Sequence, residues 1–193
     1  LLSFEEEKLQ VRGEKVLARY YDLKKKEVKG DALVELNFAK QSVMIDGALL
    51  TGKIDKVIEW DDKTWTVFDL KTGKGFSAFD EPKQSDHDEI KLYHYRLQLM
   101  MYKLLVEHSR DYSVHTVTEG VLEFVEEEVD GDIQELRLPF VDKNSKEELD
   151  RCKDLAVAVY KKIVSLDFPD TSKYPETIEG IKAFEDDLIR GVV

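Results

Sequence analysis

Apolar positions along the chain change period several times, and each change marks an element. Over residues 3–25, Leu9, Val16, Leu17 and Tyr20 recur near helical spacing. Ser3 with Glu6 forms a capping box there, so the chain opens on a helix whose weakest point is Gly13. β-rich runs follow at 32–39 and 42–45, then Asp46-Gly47, the strongest hairpin-turn signal in the chain. Residues 49–60 and 64–71 read as a second hairpin around Asp61-Asp62-Lys63. A loop over 72–87 leads into 88–108, which carries many apolar residues and no breaker and is the clearest helix. Residues 114–125 and 133–140 alternate as strands around Asp130-Gly131. A helix over 144–166, capped by Asn144 or Ser145, is stopped by Pro169. A short acidic helix over 175–189 ends at Gly191. This order predicts an α/β or α+β domain in which a sheet is flanked by helices. With no internal repeat and no linker, residues 1–193 read as a single domain.

Composition narrows the function classes. The 193 residues carry 41 acidic and 29 basic side chains, a net charge of −12, which argues against coating nucleic acid by electrostatics alone. The stretch from Lys71 to Arg110 is the exception: seven basic residues against six acidic ones leave it the least hostile to a polyanion. The single Cys152 excludes an internal disulfide and any cysteine-held zinc or iron–sulfur centre. No apolar run is long enough for a membrane span and no secretory signal is seen, which predicts a cytoplasmic, membrane-free protein. A first residue of Leu1 rather than methionine suggests part of a longer chain or complex.

The second hairpin holds the informative chemistry. If its turn centres on Asp62, facing residues have numbers summing to 124 and Asp55 opposes Asp69. Directly opposed side chains share a face with β-carbons about 4.5–5.5 Å apart, and two carboxylates there are unfavourable unless a cation joins them. Period-two alternation adds Lys71 to that face and sends Phe68 and Leu70 the other way, into a core. Two acids and a lysine suit phosphodiester hydrolysis. Hard oxygen ligands hold Mg²⁺ or Mn²⁺, and a cation beside the attacking water stabilises developing charge. The Leu70 carbonyl offers a further oxygen. The competing reading is a lattice of surface ion pairs, with Lys53 facing Lys71.

Gly52-x-x-Asp55-Lys56, followed 14 residues after Asp55 by Asp69-x-Lys71-Thr72-Gly73, resembles the core of the PD-(D/E)XK nucleases, specifically their RecB-type branch. Gln98-x-x-x-Tyr102, on the helix after the lysine strand, resembles a third motif of that branch. Its i, i+4 spacing puts both side chains on one helical face. The resemblance implies a restriction-endonuclease-like core with a mixed sheet. It implies Asp55 and Asp69 as metal ligands, Lys71 as the residue that positions water, and Thr72, Gln98 and Tyr102 as supports of site and substrate. It also implies a deoxyribonuclease acting on single-stranded DNA ends in repair or recombination, with a helicase motor in the same chain or a partner subunit. The sequence departs from the branch in two places, and its acidic total is a third departure, atypical of an isolated DNA-binding domain and in keeping with a strand delivered by a helicase or partner subunit. Leu17 stands where a metal-binding histidine is common, with Glu14 or Glu35 as substitutes, and the C-terminal cysteines of an iron–sulfur cluster are absent. The lost histidine supports the alternative, a catalytically inactive nuclease-like module that binds DNA or a protein.

Other candidates fall away. Gly47 to Lys53 has P-loop spacing, but Ile54 stands where a magnesium-binding hydroxyl is required. The four histidines lack zinc spacing. Cys152 reads as a buried structural thiol. Trp60 and Trp65, flanking the hairpin turn, read as packing residues before base-stacking ones.

Overall fold

The structure, a computed structural model, describes residues 4–25, 32–60, 63–80 and 85–193. The capping Ser3 and the turn residues Asp61 and Asp62 lie outside them. The elements run α1 (Phe4–Lys24), β1 (Leu33–Asn37), β2 (Val43–Ile45), β3 (Ala48–Leu50), β4 (Lys53–Glu59), β5 (Thr64–Lys71), α2 (Asp86–Glu107), β6 (Thr116–Val129), β7 (Asp132–Pro139), α3 (Lys143–Ser165) and α4 (Ile178–Ile189). Five strands form one mixed sheet in the order β1-β4-β5-β6-β7, and β2 and β3 make a separate ribbon. Only β5 and β6 are parallel in the large sheet, so the chain must cross over between them, and α2 is that crossover. The fold is α/β: helices flank the sheet as the pattern predicts, and the sheet is mixed as the resemblance implies.

The hairpin register is the predicted one. Lys56 pairs with Phe68, Val57 with Val67, Ile58 with Thr66 and Glu59 with Trp65. Because β5 is central and covered on both faces, Trp65, Thr66, Val67, Phe68 and Asp69 are all buried. Leu70, expected in the core, is instead 40% exposed. Helix α1, on that side of the sheet, makes its main contacts with β6 and β7.

That packing of α1 is polar. Leu9 and Leu17 of its apolar pattern are exposed, while Lys24 is buried. Glu123 of β6 has no exposed surface and binds the Lys56 ammonium at 2.7 and 2.9 Å and the Tyr20 hydroxyl at 2.8 Å. Lys24 lies 3.8 Å from Glu123 and 2.7 Å from Glu135. Helix α1 therefore docks through charge pairs beneath the sheet, and it continues unbroken through Gly13.

Other boundaries moved for local reasons. The run 49–60 is two strands, because the chain leaves β3 at Thr51-Gly52 to pass α2. A β-carbon on Gly52 would stand 2.6 Å from Leu105 Cδ1, a clash that glycine avoids. Asp46 and Gly47 both have positive φ, 46° and 87°, as the two central residues of a type I′ turn require. Helix α3 is capped by Asp142, whose carboxylate accepts the Ser145 N–H at 2.6 Å, rather than by Asn144 or Ser145. Ser85 caps α2, and Thr177 caps α4 two residues beyond the expected start. Among the described residues no helix is long and apolar enough to cross a membrane.

Candidate active site

The site forms where the end of β5 meets the buried face of α2. Alternation along β5 turns Asp69 and Lys71 towards α2, while the neighbouring Phe68 lies under the Lys56 ammonium, 4.1 Å from its ring centre, on the α1 side. Beyond the Lys56–Phe68 pair, the Leu70 N–H goes to the side chain of Asp55, donating to Oδ2 at 2.9 Å. Asp55 is thereby fixed against the strand that carries Asp69.

From α2, Gln98 and Tyr102 reach Asp69 together. The Tyr102 hydroxyl donates to Asp69 Oδ1 at 2.5 Å, and Gln98 Nε2 donates to the same oxygen at 2.8 Å and to the Tyr102 oxygen at 2.8 Å. Gln98 Oε1 accepts the Lys71 ammonium at 2.8 Å, and that ammonium lies 2.6 Å from Asp69 Oδ2. Four side chains thus close a ring in which one amide orients both an acid and a cation. Burial, and next the hydrogen bond to Asp69, raise the Tyr102 hydroxyl well above the usual tyrosine range, and the charge of Asp55 adds to the effect. Tyr102 therefore remains a donor at every physiological pH. The Tyr95 hydroxyl is also raised, mainly by burial, and its ring centre lies 4.9 Å from the Lys71 ammonium.

The donor chemistry suits a hard divalent cation. Asp69 Oδ1 is saturated by two donors. The buried Oδ2 faces the lysine but takes no well-directed hydrogen bond, leaving it an acceptor without an aligned donor. One such oxygen with the Asp55 carboxylate matches the one or two carboxylates that commonly hold Mg²⁺, water and phosphate oxygens filling the remaining positions. Among the described residues no group of three acidic, histidine or cysteine side chains assembles.

Of the sequence candidates, Asp55, Asp69, Lys71, Gln98 and Tyr102 come together. Thr72 is exposed just beyond β5, and the N–H of the next residue, Gly73, donates to Glu126 at 3.1 Å. Glu14 is exposed on α1 and accepts a bond from Gln10, and Leu17 is 69% exposed, so α1 brings neither into this cluster. Glu35 pairs with Lys53, which also separates Lys53 from the proposed lattice with Lys71. Trp65 is buried and stacked on His115, whereas Trp60 is half exposed and donates to Thr66. Arg96 is tied to Glu148 by two contacts of 2.7 Å. Cys152 is buried, and burial pushes its thiol up to about 12, the state of an unreactive structural cysteine.

Sequence reading missed Tyr95. Its signal was present, since 95, 98 and 102 fall at i, i+3 and i+7 on one face of α2. Glu126 had no such signal, because it sits in the irregular stretch of β6 between Phe124 and Glu128.

Residues 3–175 match the sequence model of the PD-(D/E)XK nuclease superfamily. No curated protein sequence matches the chain. Among solved structures, the protein SSO0001, known from its crystal structure, is similar at 16% identity and a TM-score of 0.40 over 77% of this chain. The chain spans 59% of that protein's length.

Proposed function

Since the chain belongs to the PD-(D/E)XK nuclease superfamily, we propose that it is a deoxyribonuclease that hydrolyses phosphodiester bonds with Mg²⁺ or Mn²⁺ held by Asp55, Asp69 and the Leu70 carbonyl. The observation that carries this reading is the state of Asp69, whose one oxygen is locked by Tyr102 and Gln98 while its buried partner oxygen has no aligned donor. When bound, the cation supplies Lewis acidity at the phosphoryl oxygen and a more acidic water.

The chain's own residues do the rest. Gln98 holds the Lys71 ammonium at the edge of the site, where it orients the attacking water and offsets the negative charge that grows on the phosphoryl oxygens. Water adds to phosphorus, the bond to the leaving sugar oxygen breaks, and that oxygen takes up a proton. Tyr102, kept protonated, holds Asp69 in one orientation throughout. Thr72, exposed just beyond β5, is given a substrate-side role by its place in the Asp69-x-Lys71-Thr72 motif.

RecB-type membership, preference for single-stranded ends, a role in repair or recombination and association with a helicase complete the proposal. They rest on the order and spacing of Asp55, Asp69-x-Lys71 and Gln98-x-x-x-Tyr102. A second reading, a module that binds without cutting, draws on the exposed Leu17 and on the lack of a third ligand among the described residues. Degradation of labelled single-stranded DNA in Mn²⁺ separates the two. The nuclease reading expects activity in the parent protein and losses of about 10²-fold or more in Asp69→Ala and Lys71→Ala. Equal activity in all three proteins points to a contaminant and ends it.

A further inference from the structure

Beside the reacting centre stands an aromatic cluster with a second cation. Phe76, in the loop after β5, meets Tyr95 of α2 and Phe124 of β6 with ring centres 6.3 and 6.2 Å away, both edge to face. Tyr95 and Phe124 are 6.2 Å apart, so the three rings brace one another. Phe124 is fully buried, whereas Phe76 and Tyr95 are only partly covered. The Lys91 ammonium lies 5.5 Å from the Phe76 ring centre and 5.6 Å from that of Tyr95. The Lys71 ammonium approaches the same Tyr95 ring at 4.9 Å. One ring is thus shared by the lysine of the reacting centre and by a lysine outside it.

Charge bookkeeping singles out Lys91. In a chain of net charge −12, the neighbouring cations of α2 are neutralised by acids: Arg96 by Glu148, Lys103 by Glu107. Among the described residues the partners of Lys91 are aromatic rings, and no carboxylate pairs with it. An ammonium left without an anion beside half-covered aromatic rings is the combination with which single-strand binders hold a phosphate and stack a base.

We propose that Phe76, Tyr95 and Lys91 form a nucleotide subsite next to the scissile bond, in which Phe76 with Tyr95 stacks one base of a single strand and Lys91 neutralises the adjoining phosphate. This proposal rests on the nuclease reading for its substrate class. It deepens that reading, because it gives this acidic protein a local means of gripping a polyanion.

The test measures binding rather than cleavage. A fluorescent oligothymidylate of about twelve residues is titrated in EDTA at several salt concentrations, with an abasic strand of equal length as comparison. The parent protein binds the base-bearing strand more tightly. Phe76→Leu keeps the apolar contact with Phe124 but removes the stacking face. It weakens that strand by about fivefold to 150-fold and leaves the abasic strand unchanged. Lys91→Ala, which removes the charge and keeps a strong helix former, lowers the salt slope by about 0.7 on both strands. Parent-like affinity and slope in both variants, each melting like the parent, overturn the subsite even if the parent protein cuts DNA. Base-dependent binding by a parent protein that cuts nothing in Mn²⁺ refutes the nuclease reading and leaves the subsite standing.

Discussion

Replacing Tyr102 with phenylalanine separates a packing residue from a site-supporting one. The change deletes one oxygen and keeps the ring, which is 8% exposed and part of the core. Lost are a 2.5 Å hydrogen bond to the Asp69 carboxylate and the acceptor for Gln98 at 2.8 Å. A hydrogen bond to a charged group contributes about 1.5–3 kcal/mol, and Gln98 still holds Asp69 Oδ1, so the stability loss falls within that range. For a chain of this length it lowers the melting temperature by about 3–12 °C. Asp69 then turns more freely, and loss of a bond that orients a ligand costs about 10–100-fold in metal affinity or activity. Mn²⁺ titration by calorimetry and single-strand degradation, both on protein shown to be folded, read the two effects. A variant that melts a few degrees lower yet binds Mn²⁺ and cuts like the parent would reduce Tyr102 to a packing residue.

Two further outcomes follow from groups outside the site. Glu123→Ala leaves Lys56, whose side chain is 12% exposed, without its carboxylate, and costs about 3–5 kcal/mol by urea denaturation. A loss below about 1 kcal/mol would show that α1 is held by something other than these pairs. The Cys152 thiol, raised from 9.0 to about 12 mainly by burial, keeps its proton when folded and loses it near 9 when unfolded. The unfolded chain then binds fewer protons, so stability declines as pH rises from 9 towards 12. Denaturation midpoints at pH 8 and 10.5 therefore fall further in the parent than in Cys152→Ala, and parallel slopes would contradict the burial argument.

How much of this was legible in the sequence depends on whether a feature is local. The hairpin register follows from a three-residue polar turn, and the pairs from Lys56–Phe68 to Glu59–Trp65 keep it. The Gln98–Tyr102 spacing lay within one helix and could be read directly. The break at Gly52 could not, because its cause is Leu105, more than fifty residues away. Alternation alone sends Leu70 towards the core, but alternation says which way a side chain points and not whether anything covers it. The same limit applies to α1. Its apolar spacing suggested a hydrophobic face, whereas its docking groups are Tyr20, Lys24 and Arg12, bound to Glu123, Glu135 and Glu126 of strands far along the chain.

The most direct test of the central claim is anomalous diffraction from crystals of the protein grown or soaked with Mn²⁺. The account predicts one or two manganese peaks in contact with the carboxylates of Asp55 and Asp69, lost in Asp69→Asn. Well-diffracting crystals with manganese elsewhere, or with the Asp69–Lys71 pair intact and no peak beside it, would contradict it.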